Sequence, residues 1–180
     1  VTHGDVIQAI TFSADGKLLA TAGYDRLVKV YDVAGRKLLH TLKDHSDSVY
    51  GVCFSPDGTL LASVAADRAV KVWDVATGAR LYTLGESTDW LYAVAWSPDG
   101  KHLLTGGSDH KLILWDAEGK ALHTFEGHLA HVWGVAFSPD GKQAVSCGGE
   151  RAVLIWDLKA KKQVASNATA ADSVRGVAVR

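Results

Sequence analysis

The sequence predicts an all-β fold made of four copies of one small antiparallel sheet. Three observations carry that expectation. Phe12-Ser13-Ala14-Asp15-Gly16, Phe54-Ser55-Pro56-Asp57-Gly58, Trp96-Ser97-Pro98-Asp99-Gly100 and Phe137-Ser138-Pro139-Asp140-Gly141 recur at intervals of 42, 42 and 41 residues. A fixed period of that length marks a stacked-repeat architecture. A second phrase, Tyr31-Asp32, Trp73-Asp74, Trp115-Asp116 and Trp156-Asp157, follows each first phrase by 19 residues. Between the phrases, apolar residues show no helical spacing.

The second repeat justifies each element in turn. Val49-Tyr50-Gly51-Val52-Cys53-Phe54 is β-branched and aromatic and predicts a first strand. Ser55-Pro56-Asp57-Gly58 puts proline where its fixed φ suits a type I turn and glycine at the fourth position. Leu60-Leu61-Ala62-Ser63-Val64 returns as the second strand, Ala66-Asp67-Arg68 turns, and Ala69 to Asp74 alternates as the third. After Ala76-Thr77-Gly78, the run Arg80-Leu81-Tyr82-Thr83-Leu84 makes the fourth. Such a four-stranded meander has two apolar faces and needs like-shaped neighbours to cover them. The spacing places four sheets at about 6–42, 49–84, 91–125 and 132–166 within one domain.

Composition narrows function by exclusion. The chain has 180 residues, 47% of them hydrophobic, too apolar for disorder. With 19 basic and 20 acidic residues it carries net charge −1, and no basic stripe argues for nucleic acid or a membrane surface. No apolar run reaches the ~18 residues of a transmembrane helix. Cys53 and Cys147, without any CxxC, read as small buried apolar residues within strands. No paired ligand motif or phosphate loop predicts a metal or a cofactor. The sequence contains no methionine, so Val1 is expected to follow processing, trimming or an omitted segment.

These phrases resemble the WD repeats of β-propellers, the WD40 family, over essentially the whole chain. The resemblance implies a hydrogen-bonded tetrad in each blade: a His before strand one, a Ser or Thr on strand two, an Asp in the next turn and the Trp of strand three. The second repeat supplies His45, Ser63, Asp67 and Trp73. The first supplies His3, Thr21 and Asp25 with Tyr31 for Trp; the third has Thr105, Asp109 and Trp115, with Ser87 in the His position. The fourth has His128, Ser146 and Trp156, with Glu150 for Asp. The intervals agree independently: 22 residues from the His position to the acid in every repeat, then six to the aromatic. No nucleophile elbow or oxyanion hole accompanies them, so these sets read as structural networks rather than catalytic triads. The departures in the first, third and fourth repeats imply looser locks there.

Ser173 to Val179 matches the first-strand phrase Ser48 to Phe54, which predicts four blades plus the first strand, 174–179, of a fifth. The resemblance implies about seven blades for such repeats. The expectation is therefore an incomplete ring, its remaining blades supplied by a longer chain or by an oligomer; a closed four-bladed ring is the other geometry.

With repeat chemistry assigned to structure, function falls to positions the blade does not prescribe. Asp5, Asp47, Asp89 and Asp172 share one position, seven residues before the Phe-type residue, where the fourth repeat has Ala130. The resemblance puts this loop on the top face. Three residues on, Gln8, Tyr50, Tyr92, Trp133 and Arg175 occupy the channel end of strand one. In the family, that ring and the position before the tetrad acid, Tyr24 in the first repeat, contact partners. Aromatic and Arg side chains suit hot spots, because they bury area with few rotors to freeze. With Trp90 beside Tyr92 and carboxylates nearby, the patch predicts a protein or peptide partner presenting Arg or Lys beside an apolar residue. The expected role is a non-enzymatic interaction scaffold. The rival is the recognition module of a larger enzyme or redox protein; an enzymatic propeller has the least support, since the channel positions offer no acid–base pair.

Overall fold

The structure is a computed structural model, and it describes residues 2–84, 87–167 and 172–178. The described residues contain sixteen strands and no helix. The first sheet is β1 (Ile7–Phe12), β2 (Leu18–Gly23), β3 (Val28–Asp32) and β4 (Lys37–Leu42); the second is β5 (Val49–Phe54), β6 (Leu60–Ala65), β7 (Val70–Asp74) and β8 (Arg80–Leu84). The third is β9 (Leu91–Trp96), β10 (His102–Gly107), β11 (Leu112–Asp116) and β12 (Ala121–Phe125). The fourth is β13 (Val132–Phe137), β14 (Gln143–Gly148), β15 (Val153–Asp157) and β16 (Lys162–Asn167). Each sheet pairs its strands antiparallel in chain order. The all-β, four-sheet expectation therefore holds.

The turn chemistry behaves as the sequence implies. Gly58 N–H donates to Ser55 O at 2.9 Å, and Ser55 Oγ donates to Asp57 Oδ1 at 2.6 Å. Gly58 sits at φ +73°, where a side chain is strained. The Ser55 hydrogen bond, followed by the Thr59 N–H, holds the Asp57 carboxyl below its ordinary value. The same Ser–Asp bond recurs at 2.7, 2.6 and 2.7 Å in the other three copies. In the turn after the tetrad acid, Arg26, Arg68, His110 and Arg151 take φ between 63° and 66° in every blade.

Packing lies between sheets rather than within them. Ala20, Val28 and Val30 of the first sheet bury against Leu61, Phe54 and Trp73 of the second. Val70 and Val72 of the second meet Leu103 and Trp115 of the third, and Leu112 and Leu114 of the third meet Trp156 and Ala144 of the fourth. One face thus offers an aliphatic pair and the next replies with Leu or Ala and an indole. The innermost strands β1, β5, β9 and β13 adjoin in that order, fanning the sheets about one axis. At Gly106 a Cβ would lie 2.5 Å from Val132 Cγ1, so this contact between blades requires glycine.

The two flanks differ. On β1, Ile10 and Phe12 are 64% and 56% exposed, so that face has no neighbour among the described residues. Beyond the fourth sheet, 173–178 passes close to β13: a Cβ on Gly134 would lie 3.1 Å from Gly176 Cα, and Val174 N–H donates to Gly148 O at 3.3 Å. The segment expected as a further first strand, 174–179, carries no strand ladder over 174–178, and residue 179 lies outside the described residues. In every blade the first strand pairs with the next strand of its own sheet, and this segment has no such partner among the described residues.

Candidate partner-binding site

The tetrad residues come together as networks, and to different extents. In the second blade, His45 Nδ1 lies 2.8 Å from Asp67 Oδ2 and His45 Nε2 lies 2.8 Å from Ser63 Oγ; Trp73 Nε1–H donates to Ser63 Oγ at 2.9 Å. A carboxylate only accepts, which assigns the proton to Nδ1 and leaves Nε2 to accept from the Ser63 hydroxyl. Burial alone would raise Asp67, but the His45 hydrogen bond and charge, with the Ser46 and Ala69 N–H groups, bring it below its ordinary value. In the first blade, His3 bonds Asp25 and Thr21, each at 2.8 Å. Tyr31 departs from the expected tetrad and donates no hydrogen bond among the described residues: a phenol carries its hydroxyl at the ring tip, not on the edge where an indole N–H lies.

The third blade keeps only the bond from Trp115 Nε1 to Thr105 Oγ1 at 2.9 Å. Thr88, not Ser87, answers Asp109, donating to it at 3.0 Å, while Ser87 Oγ turns to the Asp89 carbonyl at 2.7 Å. In the fourth blade His128 bonds both Glu150 and Ser146, and Trp156 Nε1 donates to Ser146 at 2.7 Å. The longer Glu150 reaches its histidine, but its Oε2 is buried without a partner among the described residues. Burial drives His128 below the ordinary imidazole value, against the opposing pull of Glu150. Each set serves its own blade, with its Ser or Thr hydroxyl fully buried at Thr21, Ser63, Thr105 and Ser146.

The top-face positions converge on one cavity of about 540 Å³, lined by Gln8, Tyr24, Tyr50, Trp90, Tyr92, Trp133 and Arg175. A backbone irregularity places four of them. The β1–β2 register skips Gln8, β5–β6 skips Tyr50, β9–β10 skips Tyr92, and β13–β14 skips Trp133. Each is the extra residue of a β-bulge, which bends the strand and re-aims that side chain. The rings form a continuous belt. Tyr24 meets Tyr50 edge-on at 5.9 Å, and Tyr50 stacks on Trp90 at 6.3 Å and contacts Tyr92 at 5.1 Å. Tyr92 meets Trp133 at 4.3 Å. Burial, followed by the fields of Tyr24, Tyr92 and Asp47, raises the Tyr50 phenol above its ordinary value.

Asp5, Asp47 and Asp89 do not line the cavity. Each turns Oδ1 onto the N–H of the following residue, Val6, Ser48 and Trp90, at 2.7, 2.7 and 2.8 Å. Sequence reasoning passed over His131, which stands edge-on to Tyr92 at 5.9 Å and to Trp133 at 5.5 Å. Its Nδ1 lies 3.1 Å from both the hydroxyl and the carbonyl oxygen of Ser108, tying the third blade to the fourth beneath the belt. Its place two residues before Trp133 in the loop ahead of β13 was the available signal.

Radially arranged four-stranded meanders, locked by His–Ser/Thr–Trp networks, define a β-propeller repeat protein. The chain belongs to the WD40 family: the family model described as WD domain, G-beta repeat matches residues 1–32, 36–74, 78–116 and 119–157. A curated relative, the general transcriptional corepressor TUP1 of Saccharomyces cerevisiae, is 44% identical over 39 residues, which is 22% of this chain and 6% of that protein. The match thus spans a small part of the relative. WD40 membership makes the protein an interaction scaffold in general terms.

Proposed function

We propose that the protein is a non-enzymatic scaffold that holds a peptide or partner domain across its top face, with the Tyr50–Tyr92–Trp133 belt as the hot spot. The observation that supports this most is the convergence of bulge-presented aromatic side chains on one open cavity. Rings held by neighbours lose little freedom on binding, so the area they bury is retained as affinity. A segment presenting Arg or Lys beside an apolar residue suits the site, since Asp5, Asp47 and Asp89 lie in the loops just ahead of the first strands of their blades and the rings offer cation–π faces. The remaining blades of the ring belong, in this proposal, to a longer chain or an oligomer.

The test is replacement of Tyr50, Tyr92 and Trp133 together by Ala, followed by pull-down and calorimetry with partner peptides. Binding disappears while the β-sheet circular dichroism persists. A partner that stays bound to the triple variant overturns the assignment of this site.

A further inference from the structure

We propose that the top-face cavity itself takes a carboxylate, carried by the partner segment on an apolar or aromatic stem. This rests on the partner-binding reading and adds the chemistry of the group that enters the cavity. Among the lining residues the only formal charge is the Arg175 guanidinium, and no acid lines the space. Arg175 is exposed and forms no ion pair among the described residues. Trp90 and Trp133 bring indole N–H groups, which can only donate, and neither hydrogen bonds within the described chain. Gln8 and the three phenols add further donors.

The balance of the wall is therefore an excess of donors with one positive charge between aromatic faces. A carboxylate, an acceptor with several lone-pair sites, complements it; charge-assisted bonds of this type are roughly twice as strong as neutral ones. An ammonium entering the same space would find no acid and would face Arg175. The acids beside it are engaged with backbone: Asp47, whose field reaches Tyr50, accepts from Ser48 N–H at 2.7 Å, and Asp89 accepts from Trp90 N–H at 2.8 Å. The resulting division of labour is a bipolar partner, its basic side chains over the rim and its acid inside.

The experiment follows the indole N–H resonances of Trp90 and Trp133 while benzoylglycine, its uncharged amide and benzamidine are titrated into the protein. Benzoylglycine moves both resonances and binds about fivefold or more tightly than the amide. Arg175→Gln removes that preference without loss of the amide's weaker binding. Peptides with an internal Glu or with a free terminal carboxylate then separate a side chain from a chain end as the source. Equal binding of the amide, or tighter binding of benzamidine, overturns the proposal. If the unmodified protein shows no carboxylate preference but still binds basic peptides through the aromatic belt, the carboxylate reading alone fails. If the triple aromatic variant keeps its partner, the broader one fails.

Discussion

The indole N–H of Trp73 and the imidazole of His45 share a single hydroxyl, Ser63 Oγ, at 2.9 and 2.8 Å. One small side chain thus satisfies two buried aromatic heterocycles, and Ser63 itself is fully buried. Removing it orphans both. Ser63→Ala is expected to cost about 2–6 kcal/mol, at about 1–3 for each unsatisfied group. Thr105→Ala, which orphans one indole, should cost roughly half as much. Denaturant titration of the two variants checks the order, and equal losses would contradict the network.

Acid should act on the fourth blade first. The unfolded His128 takes up a proton as pH falls through the ordinary 6.5, whereas the folded one, buried, resists it. The unfolded state then binds more protons, so this contribution is present above that pH and lost below it. Asp25 and Asp67 are depressed below 3.8, so their contributions persist above that value and vanish as pH falls further. Thermal melts should show a first decline as pH falls below about 6.5 and a second below about 4. His128→Asn should erase the first step only. A profile with no decline between about pH 6.5 and about pH 4 would refute the assignment.

Lys71 is a buried cation held by an exposed acid. Its side chain is 8% exposed and its Nζ lies 3.9 Å from Asp44 Oδ2, which also takes Arg80 at 2.6 Å. Asp44→Ala should destabilise the protein by about 1–2 kcal/mol, less than a fully buried pair because Asp44 is half in water. The equivalent positions of the third and fourth blades hold Ile113 and Leu154. Adding Lys71→Leu to Asp44→Ala should restore the lost stability, as measured by urea unfolding.

Glycines of two kinds should separate backbone strain from crowding. Gly16 sits at φ +70° with nothing within 4 Å of an added Cβ, so Gly16→Ala isolates the backbone term, about 1 kcal/mol. Gly106 has no positive φ, so Gly106→Val tests crowding alone: it drives atoms into Val132 and should cost about 2–3 kcal/mol. Melting temperatures should fall in that order.

Strand positions and the tetrads were legible because both recur: a periodic phrase fixes the turns, and turns fix the strands between them. Gln8, Tyr50, Tyr92, Trp133 and Arg175 could be aligned for the same reason. The bulges that aim four of them into the cavity could not, since a skipped register is a property of two paired backbones. His131 was missed because its role depends on Ser108, 23 residues away in the neighbouring blade. The length of Glu150 and the ring shape of Tyr31 changed their networks in opposite ways, Glu150 reaching its partner and Tyr31 failing to. Trp96 replaces the Phe of the other repeats and leaves its indole N–H buried without a partner among the described residues; nothing in the structure explains that choice.

The matched repeat 36–74 begins just before β4 of one blade and ends with β7 of the next, and 78–116 and 119–157 are offset in the same way. The unit of sequence and the unit of shape are out of phase by one strand. Each copy therefore lends its opening strand backward, like overlapping roof tiles. Duplicating or deleting a whole copy leaves every sheet complete, whereas a cut at a copy's border strips an outer strand. Such a chain can change its number of blades by recombination without passing through a broken one.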